Sequence, residues 1–327
     1  MFVTRRAAIV LAAALAVSAA QAAPAPEPQV AEGRIESVTT LKFEHIAPRP
    51  VRIWLPADYP MSAPYAVLYM HDGQMLFDAD ITWNHQEWGV DEVAGKLQRE
   101  QILRPFIVVA IDNAGTGRIG EYFPQRAFNA LAPEQRSALL AAYSKAVGQP
   151  VAAITSDAYL DFLVHELKPY VDTHYAVSPA RADTLLMGSS MGALISLYAL
   201  GEYPQVFGGA ACLSTHWPGQ LGETPDNPVP AALLRYVETR LPRADGHRLY
   251  FDHGDKTLDA SYADRQRKAD ALLRAKGYTD ADFMTRVFPG AEHSETAWRA
   301  RLDVPLRFLL GKPALHDELG KKRAEEK

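Results

Sequence analysis

The sequence predicts an α/β fold with a mostly parallel central sheet and helices on both faces. Continuous apolar runs recur at 65–70 (YAVLYM), 106–111 (FIVVAI), 184–187 (TLLM) and 208–213 (GGAACL), with weaker ones at 248–251 (RLYF) and 284–288 (MTRVF). Strands covered on both faces read this way, because neither side chain direction meets water. Helix-like segments lie between them, at 87–99, 157–172, 192–201, 260–276 and 294–310. Strands alternating with helices form right-handed crossover units and hence parallel neighbours. Finally, 48% hydrophobic and 22% charged residues in 327 describe an ordinary globular chain, neither disordered nor collagen-like.

In chain order, Arg5 and Arg6 precede an apolar, Ala-rich run from Ala7 to Ala20, and Ala20-Gln21-Ala22 follows as an A-x-A site. A charged start, a short apolar core and small residues at a cleavage point describe a secretory signal peptide over 1–22. At about 14 residues the run is too short to cross ~30 Å of hydrocarbon. No membrane anchor is expected, and the reading is a periplasmic or secreted protein whose mature chain begins near Ala23. Residues 23–33 are Pro- and Ala-rich and read as a flexible lead-in. Partial alternation at 34–46 and 51–55 suggests antiparallel strands at one edge, with Val51, Ile53 and Leu55 sharing a face and Arg52 on the other. In 157–172, Asp157 is a candidate cap for a helix whose apolar positions are Tyr159, Leu160, Leu163, Leu167 and Val171. Residues 114–156 have mixed polarity and interrupt the alternation, as an insertion over a site would. The main domain is expected over 34–312 and a charged tail over 313–327.

Several function classes are excluded. Lys plus Arg is 34 and Asp plus Glu 39, a formal net charge of −5, so no strong basic field gathers nucleic acid. The single cysteine, Cys212, forms no intramolecular disulfide and reads as a small buried hydrophobe.

The chemistry lies in Gly188-Ser189-Ser190-Met191-Gly192. This G-x-S-x-G falls between an apolar strand and a helix, the context that gives the pattern meaning. The tight turn pushes the Ser190 hydroxyl outward, and the small flanking residues let strand and helix meet. A serine needs a base to take its proton. The expected order is serine, acid, histidine, and His293 follows the last strand and the turn Pro289-Gly290. Three aspartates compete for the acid. Asp252 is still on its strand, whereas Asp255 and Asp259 lie in the loop after it. Reach favours Asp259, with Asp255 as the alternative. The oxyanion hole takes one backbone N–H from Met191 and another from the loop His71-Asp72-Gly73-Gln74. Gln74 is favoured there over Gly73. His71 and Asp72 are read as bracing the loop, since no further metal ligands stand at sensible spacing. No metal or cofactor is implied. Trp83, Tyr122, His216 and Trp217 are candidate substrate-binding residues beside the C-terminal edge of the sheet, as are His85 and Trp88.

Taken together, YMHDGQMLFD (69–78), Arg118-x-x-Glu121-Tyr122, YLDFLVHELKPYVD (159–172), GSSMG, LSTHWP (213–218), YFDHGDKTLDASY (250–262) and FPGAEHSETAW (288–298) resemble the putative-esterase family. That family includes esterase D-like enzymes, enterochelin esterases and feruloyl or acetylxylan esterases. The resemblance runs from about residue 40 to 311. It implies an α/β-hydrolase fold and a Ser/His core onto which Ser190 and His293 map directly. The loop GDKTLD is longer than the short G-x-x-D form of many members, so the acid maps less directly. The expected activity is hydrolysis of carboxylic esters, small or glycan-linked, through an acyl-enzyme. An acyltransferase using the same site, or a non-catalytic binding protein on this scaffold, are the alternatives.

Overall fold

The structure, a computed structural model, describes residues 26–220 and 226–312. The predicted signal peptide (1–22) and the charged tail (313–327) lie outside the described residues. Eight strands form one sheet: β1 (Arg34–Ser37), β2 (Val51–Leu55), β3 (Ala66–His71), β4 (Phe106–Ile111), β5 (Thr184–Ser189), β6 (Gly209–Leu213), β7 (Arg248–His253) and β8 (Phe283–Val287). Their order is β1-β2-β4-β3-β5-β6-β7-β8. β2 pairs antiparallel with both β1 and β4, and every other pairing is parallel. All six apolar runs are therefore strands of a mostly parallel sheet.

Alternate residues of each strand feed two cores. Tyr69, Val109, Leu186, Cys212 and Phe251 face one side, where the helices Met191–Glu202, Val229–Arg240 and Ala263–Ala275 pack. Leu68, Met70, Val108, Met187 and Tyr250 face the other, against Val90–Arg99 and Asp303–Leu310. Each fully buried Leu or Val adds roughly 1.5–3 kcal/mol. The two cores explain why these strands carry no polar alternation.

Four departures from expectation have local causes. The strand expected over 34–46 stops at Ser37, because β2 begins only at Val51, after Pro50, and offers no partner beyond it. Residues 44 and 45 instead donate their N–H groups to the Glu166 carboxylate, at 3.0 and 3.1 Å. Arg52 does lie on the face opposite Val51, Ile53 and Leu55, but it is buried and bonded to Asp112 at 2.9 Å.

The helix predicted over 157–172 starts at Ser156, so Asp157 sits inside its first turn, not at the cap. It passes through a wide π turn at Phe162–Leu167 before Lys168–His174. Pro169, which has no N–H to return to residue 165, accounts for the widening. The segment 294–310 is two helices, Glu295–Arg299 and Asp303–Leu310. Pro305 fits only in the first turn of a helix, so a new helix begins just ahead of it.

The lead-in expected to be flexible is tied down over its described part. Ala31 N–H donates to Asp91 Oδ2 at 2.7 Å, Gln29 N–H to Asp78 Oδ2 at 2.8 Å, and the Glu32 carbonyl accepts from Trp54 Nε1 at 2.8 Å. Gly95 lets this strap lie close, since a Cβ there would fall 2.3 Å from the Glu32 carboxylate. The 114–156 insertion is helical, with Arg118–Tyr122, Gln125–Asn129 and Pro133–Val147.

Candidate active site

β5 ends at Ser189, and the helix Met191–Glu202 begins two residues later. Between them Ser190 takes φ 57°, ψ −118°, a conformation costly for any residue with a Cβ. Its N–H donates to the Leu213 carbonyl at 2.9 Å, which ties the corner to β6. A Cβ on Gly188 would lie 2.6 Å from the Gly192 backbone, and one on Gly192 would lie 3.2 Å from Asp72 Oδ2. Strand, helix and the loop after β3 meet at this point, where a Cβ at 188 would strike backbone and one at 192 would crowd Asp72.

His293 lies between β8 and Glu295–Arg299. Its N–H donates to Thr257 Oγ1 at 2.8 Å, and its Nδ1 faces Asp259 Oδ1 at 2.7 Å. An Nδ1–H donated to a carboxylate leaves Nε2 as the basic nitrogen. The ring is held edge-on by Trp298 (5.1 Å between centroids) and Tyr262 (5.9 Å).

The three aspartates have separate fates. Asp252 is fully buried and bonded to Arg301 Nη2 at 2.9 Å and to the Tyr250 hydroxyl at 2.9 Å. Asp255 is exposed and accepts from Gly290 N–H at 2.8 Å. Asp259, on the turn Thr257–Ser261, is the one that reaches the imidazole. Burial pushes its carboxyl up, but hydrogen bonds from His293, Ser214 and the Gly254 N–H outweigh this and hold it below the usual carboxylate range.

Ser214 is a residue that sequence reasoning missed. Its hydroxyl donates to Asp259 Oδ2 at 2.6 Å and accepts from Trp298 Nε1 and Arg301 Nη2, both at 3.0 Å.

The loop after β3 forms one turn of 3₁₀ helix, Gly73–Met75. Met191 and Gln74 both sit in the first turn of a helix, where an N–H has no acceptor within the helix. Asp72, at φ 58°, fixes this loop. Arg118 grips its carboxylate through two bonds of 2.6 and 2.8 Å, and Asn113 Nδ2 adds a third at 2.7 Å. Burial raises the Asp72 carboxyl, but Arg118 and Asn113 more than offset it, and it lies below its ordinary value. His71 is buried with Nδ1 2.8 Å from the Tyr159 hydroxyl, and burial lowers it to about 4. Both residues brace the loop, as their spacing suggested.

The four candidate substrate-binding residues divide. Trp83 is 81% exposed. It stands in a loop joined to the helix after His293 by Asn84 Nδ2 to Glu295 Oε2 (2.8 Å) and Thr296 Oγ1 to Gln86 Oε1 (3.0 Å). His216 donates its N–H to the Ser190 carbonyl at 3.3 Å, and its Nδ1 lies 2.6 Å from the Tyr262 hydroxyl. Burial, then the charges of His293 and Arg118, lower its pKa to about 3, so it stays neutral. Tyr122 and Trp217 do not line a cleft. Tyr122 is fully buried beneath Arg118, its hydroxyl accepting from Asp72 N–H at 3.3 Å. Trp217 is stacked on Phe251 and donates to Gln266 Oε1 at 2.8 Å. Large aromatics beside a loop also fill core, and both do so here. Trp88 is likewise buried, against Trp298.

Comparison with known proteins adds relatives to this geometry. The chain is 21% identical over 272 residues to the uncharacterized protein YbbA of Bacillus subtilis (strain 168), covering 80% of this chain and 92% of that one. Among solved structures, a ferulic acid esterase superposes with a TM-score of 0.59 at 18% identity, covering 85% of this chain and 98% of that one. The enterochelin esterase of Shigella flexneri superposes with a TM-score of 0.61 at 21% identity, covering 86% of this chain and 59% of that one. The family described as Putative esterase matches residues 47–309, from β2's approach to the last helix and with every site residue above inside it. With an α/β sheet, an elbow serine and a carboxylate-held histidine in that span, the chain belongs to the putative-esterase family.

Proposed function

We propose that this protein is an exported serine hydrolase of carboxylic esters, with Ser190 as nucleophile, His293 as general base and Asp259 as its orienting acid. The observation that carries this reading is the 2.7 Å contact between Asp259 Oδ1 and His293 Nδ1, in a chain whose elbow serine is held at φ 57°. In the proposed cycle the Ser190 proton passes to His293 Nε2 as Oγ bonds the ester carbon. The carbonyl oxygen becomes an oxyanion that accepts from the Met191 and Gln74 N–H groups. Collapse breaks the bond to the alcohol oxygen, which takes the proton from His293. Water then repeats the sequence on the acyl-enzyme and releases the acid. Asp259 stays ionised throughout and holds the imidazole in the productive tautomer.

The substrate class we infer is an ester with an aromatic or sugar face, for which exposed Trp83 is the platform. The name of the ferulic acid esterase is consistent with an aromatic acyl group. Ser190→Ala should lower ester turnover by about 10⁴-fold while leaving the melting temperature unchanged, and Ser190 should take up a fluorophosphonate stoichiometrically. More than about a tenth of the original activity in that variant would remove Ser190 from the mechanism. Release of free acid in the presence of added alcohol separates hydrolysis from acyl transfer. Export predicts a mature N-terminus at or near Ala23, read by mass spectrometry of protein from its host. An intact Met1 in the soluble cytoplasm would refute it.

A further inference from the structure

We propose that a cleft at the opposite end of the sheet from Ser190 binds a small organic polyanion through Arg181, Arg243 and Lys276. The cleft has a volume of about 770 Å³ and is framed by the segments that lead into β5, β6, β7 and β8. Ser190, Ser214, Asp259 and His293 all follow the C-terminal ends of those strands. The two sites are thus a strand length apart, on the order of 20 Å for six residues.

Three cationic side chains line the cleft against one carboxylate, the exposed Asp245. None of the three forms an ion pair among the described residues. Two are nevertheless fixed by neutral acceptors. Arg181 Nη2 donates to the Asp245 carbonyl at 3.1 Å, and Lys276 Nζ to the Leu241 carbonyl at 2.9 Å. Carbonyls position these charges without cancelling them. Arg243 makes no hydrogen bond among the described residues, so its whole guanidinium fork is open to a ligand.

Two glycines lie against the guanidinium groups. A Cβ on Gly246 would lie 3.2 Å from Arg181 Nη2, and one on Gly277 would lie 3.8 Å from Arg243 Nη2. Both glycines have positive φ, 77° and 95°, where other residues are strained. Burial and the nearby charge of Arg243 lower the Lys276 ammonium below its ordinary value, against a smaller opposing pull from Glu238. Like charges are therefore crowded here, in a chain whose net charge is −5. Such a local inversion of sign is a site for an external anion.

The size narrows the ligand. A space of this volume suits an organic molecule more than a bare inorganic ion. Pro204, Pro242 and Ala244 supply apolar wall, and the arginine forks match phosphate or carboxylate oxygens in pairs. The class is an organic molecule carrying a phosphate or several carboxylates.

The test is calorimetric titration of the mature protein, in metal-free buffer, with pyrophosphate and with citrate against sodium chloride of matched ionic strength. Saturable one-site binding of either probe is expected, weakened at least tenfold by Arg243→Glu and in the same direction by Arg243→Gln. Ester turnover should be unchanged in both variants. Tighter binding of pyrophosphate assigns a phosphorylated ligand, and tighter binding of citrate a polycarboxylate. No saturable heat with either probe beyond the salt control overturns the proposal. So does binding of equal strength in Arg243→Glu, which would place the anion elsewhere, for instance at Arg118.

Discussion

A serine hydroxyl has one proton and two lone pairs, and at Ser214 all three are committed. It donates to Asp259 and accepts from Trp298 and Arg301. Asp259 therefore reaches His293 as part of a buried network that ends on Asp252 and Tyr250. Asp255, exposed and bonded to a turn N–H, has no such backing. Asp259→Asn should lower kcat by up to about 10⁴-fold with little change in KM, because the amide favours the wrong imidazole tautomer. Asp255→Asn should cost only a few-fold. Measuring both on one activated ester decides between them, and small losses at both would mean a Ser-His pair that works without a carboxylate. The elbow serine and the Asp259–His293 pair were legible because each sits at a fixed place in the strand-turn-helix order. Ser214 was not, since a serine at the end of an apolar strand carries no signal of its own until its three partners fold around it. Tyr122 and Trp217 misled for the converse reason, because an aromatic near a loop looks the same whether it faces solvent or core.

At the scale of elements, the loop after β3 depends on Asn113, just after β4, and on Arg118 of the helical insertion. Arg118 and Asn113 hold Asp72 in a left-handed conformation, and Asn113 N–H also bonds Gln74 Oε1 at 3.1 Å. This clamp fixes the loop that carries Gln74, the oxyanion donor proposed above. Arg118→Ala should reduce kcat by about 10- to 10²-fold, the range of a weakened oxyanion donor. Arg118→Lys should restore only part of it, since a point charge cannot grip a carboxylate in two places. Steady-state kinetics on the three proteins tests this, and full activity in Arg118→Ala would sink it. The strands that frame the loop were readable to within two residues at most ends, because burial on both faces writes an unbroken apolar run. The first strand was overextended, since its length depends on where its neighbour begins. The helical insertion showed only as an interruption, because its polar surface hides its period.

For the molecule as a whole, the strap over 26–32 was invisible in composition. Its partners are carboxylates and a tryptophan in distant parts of the chain. One of them, Asp91, is 1% exposed. Burial pushes its carboxyl up to about 7, despite the Ala31 N–H that favours the charged form. A carboxyl raised on folding binds its proton more tightly in the native state. Its contribution is whole below about pH 4, the unfolded value, and is lost as pH rises toward 7. Asp91→Asn should therefore match the parent near pH 4. At pH 8 it should be more stable by on the order of 1–2 kcal/mol, less than the full shift implies because an amide accepts more weakly from the Ala31 N–H. Denaturant unfolding at the two pH values checks this, and parallel pH curves would refute it.

The sheet order also has a consequence in time. β3 lies between β4 and β5, so the strand that ends in the nucleophile needs a neighbour from far upstream. His293 is made 103 residues after Ser190. A polypeptide still leaving the ribosome can complete the elbow before it carries the base proposed to activate it. On the proposed mechanism, connectivity therefore delays reactivity until the last part of the sheet is made.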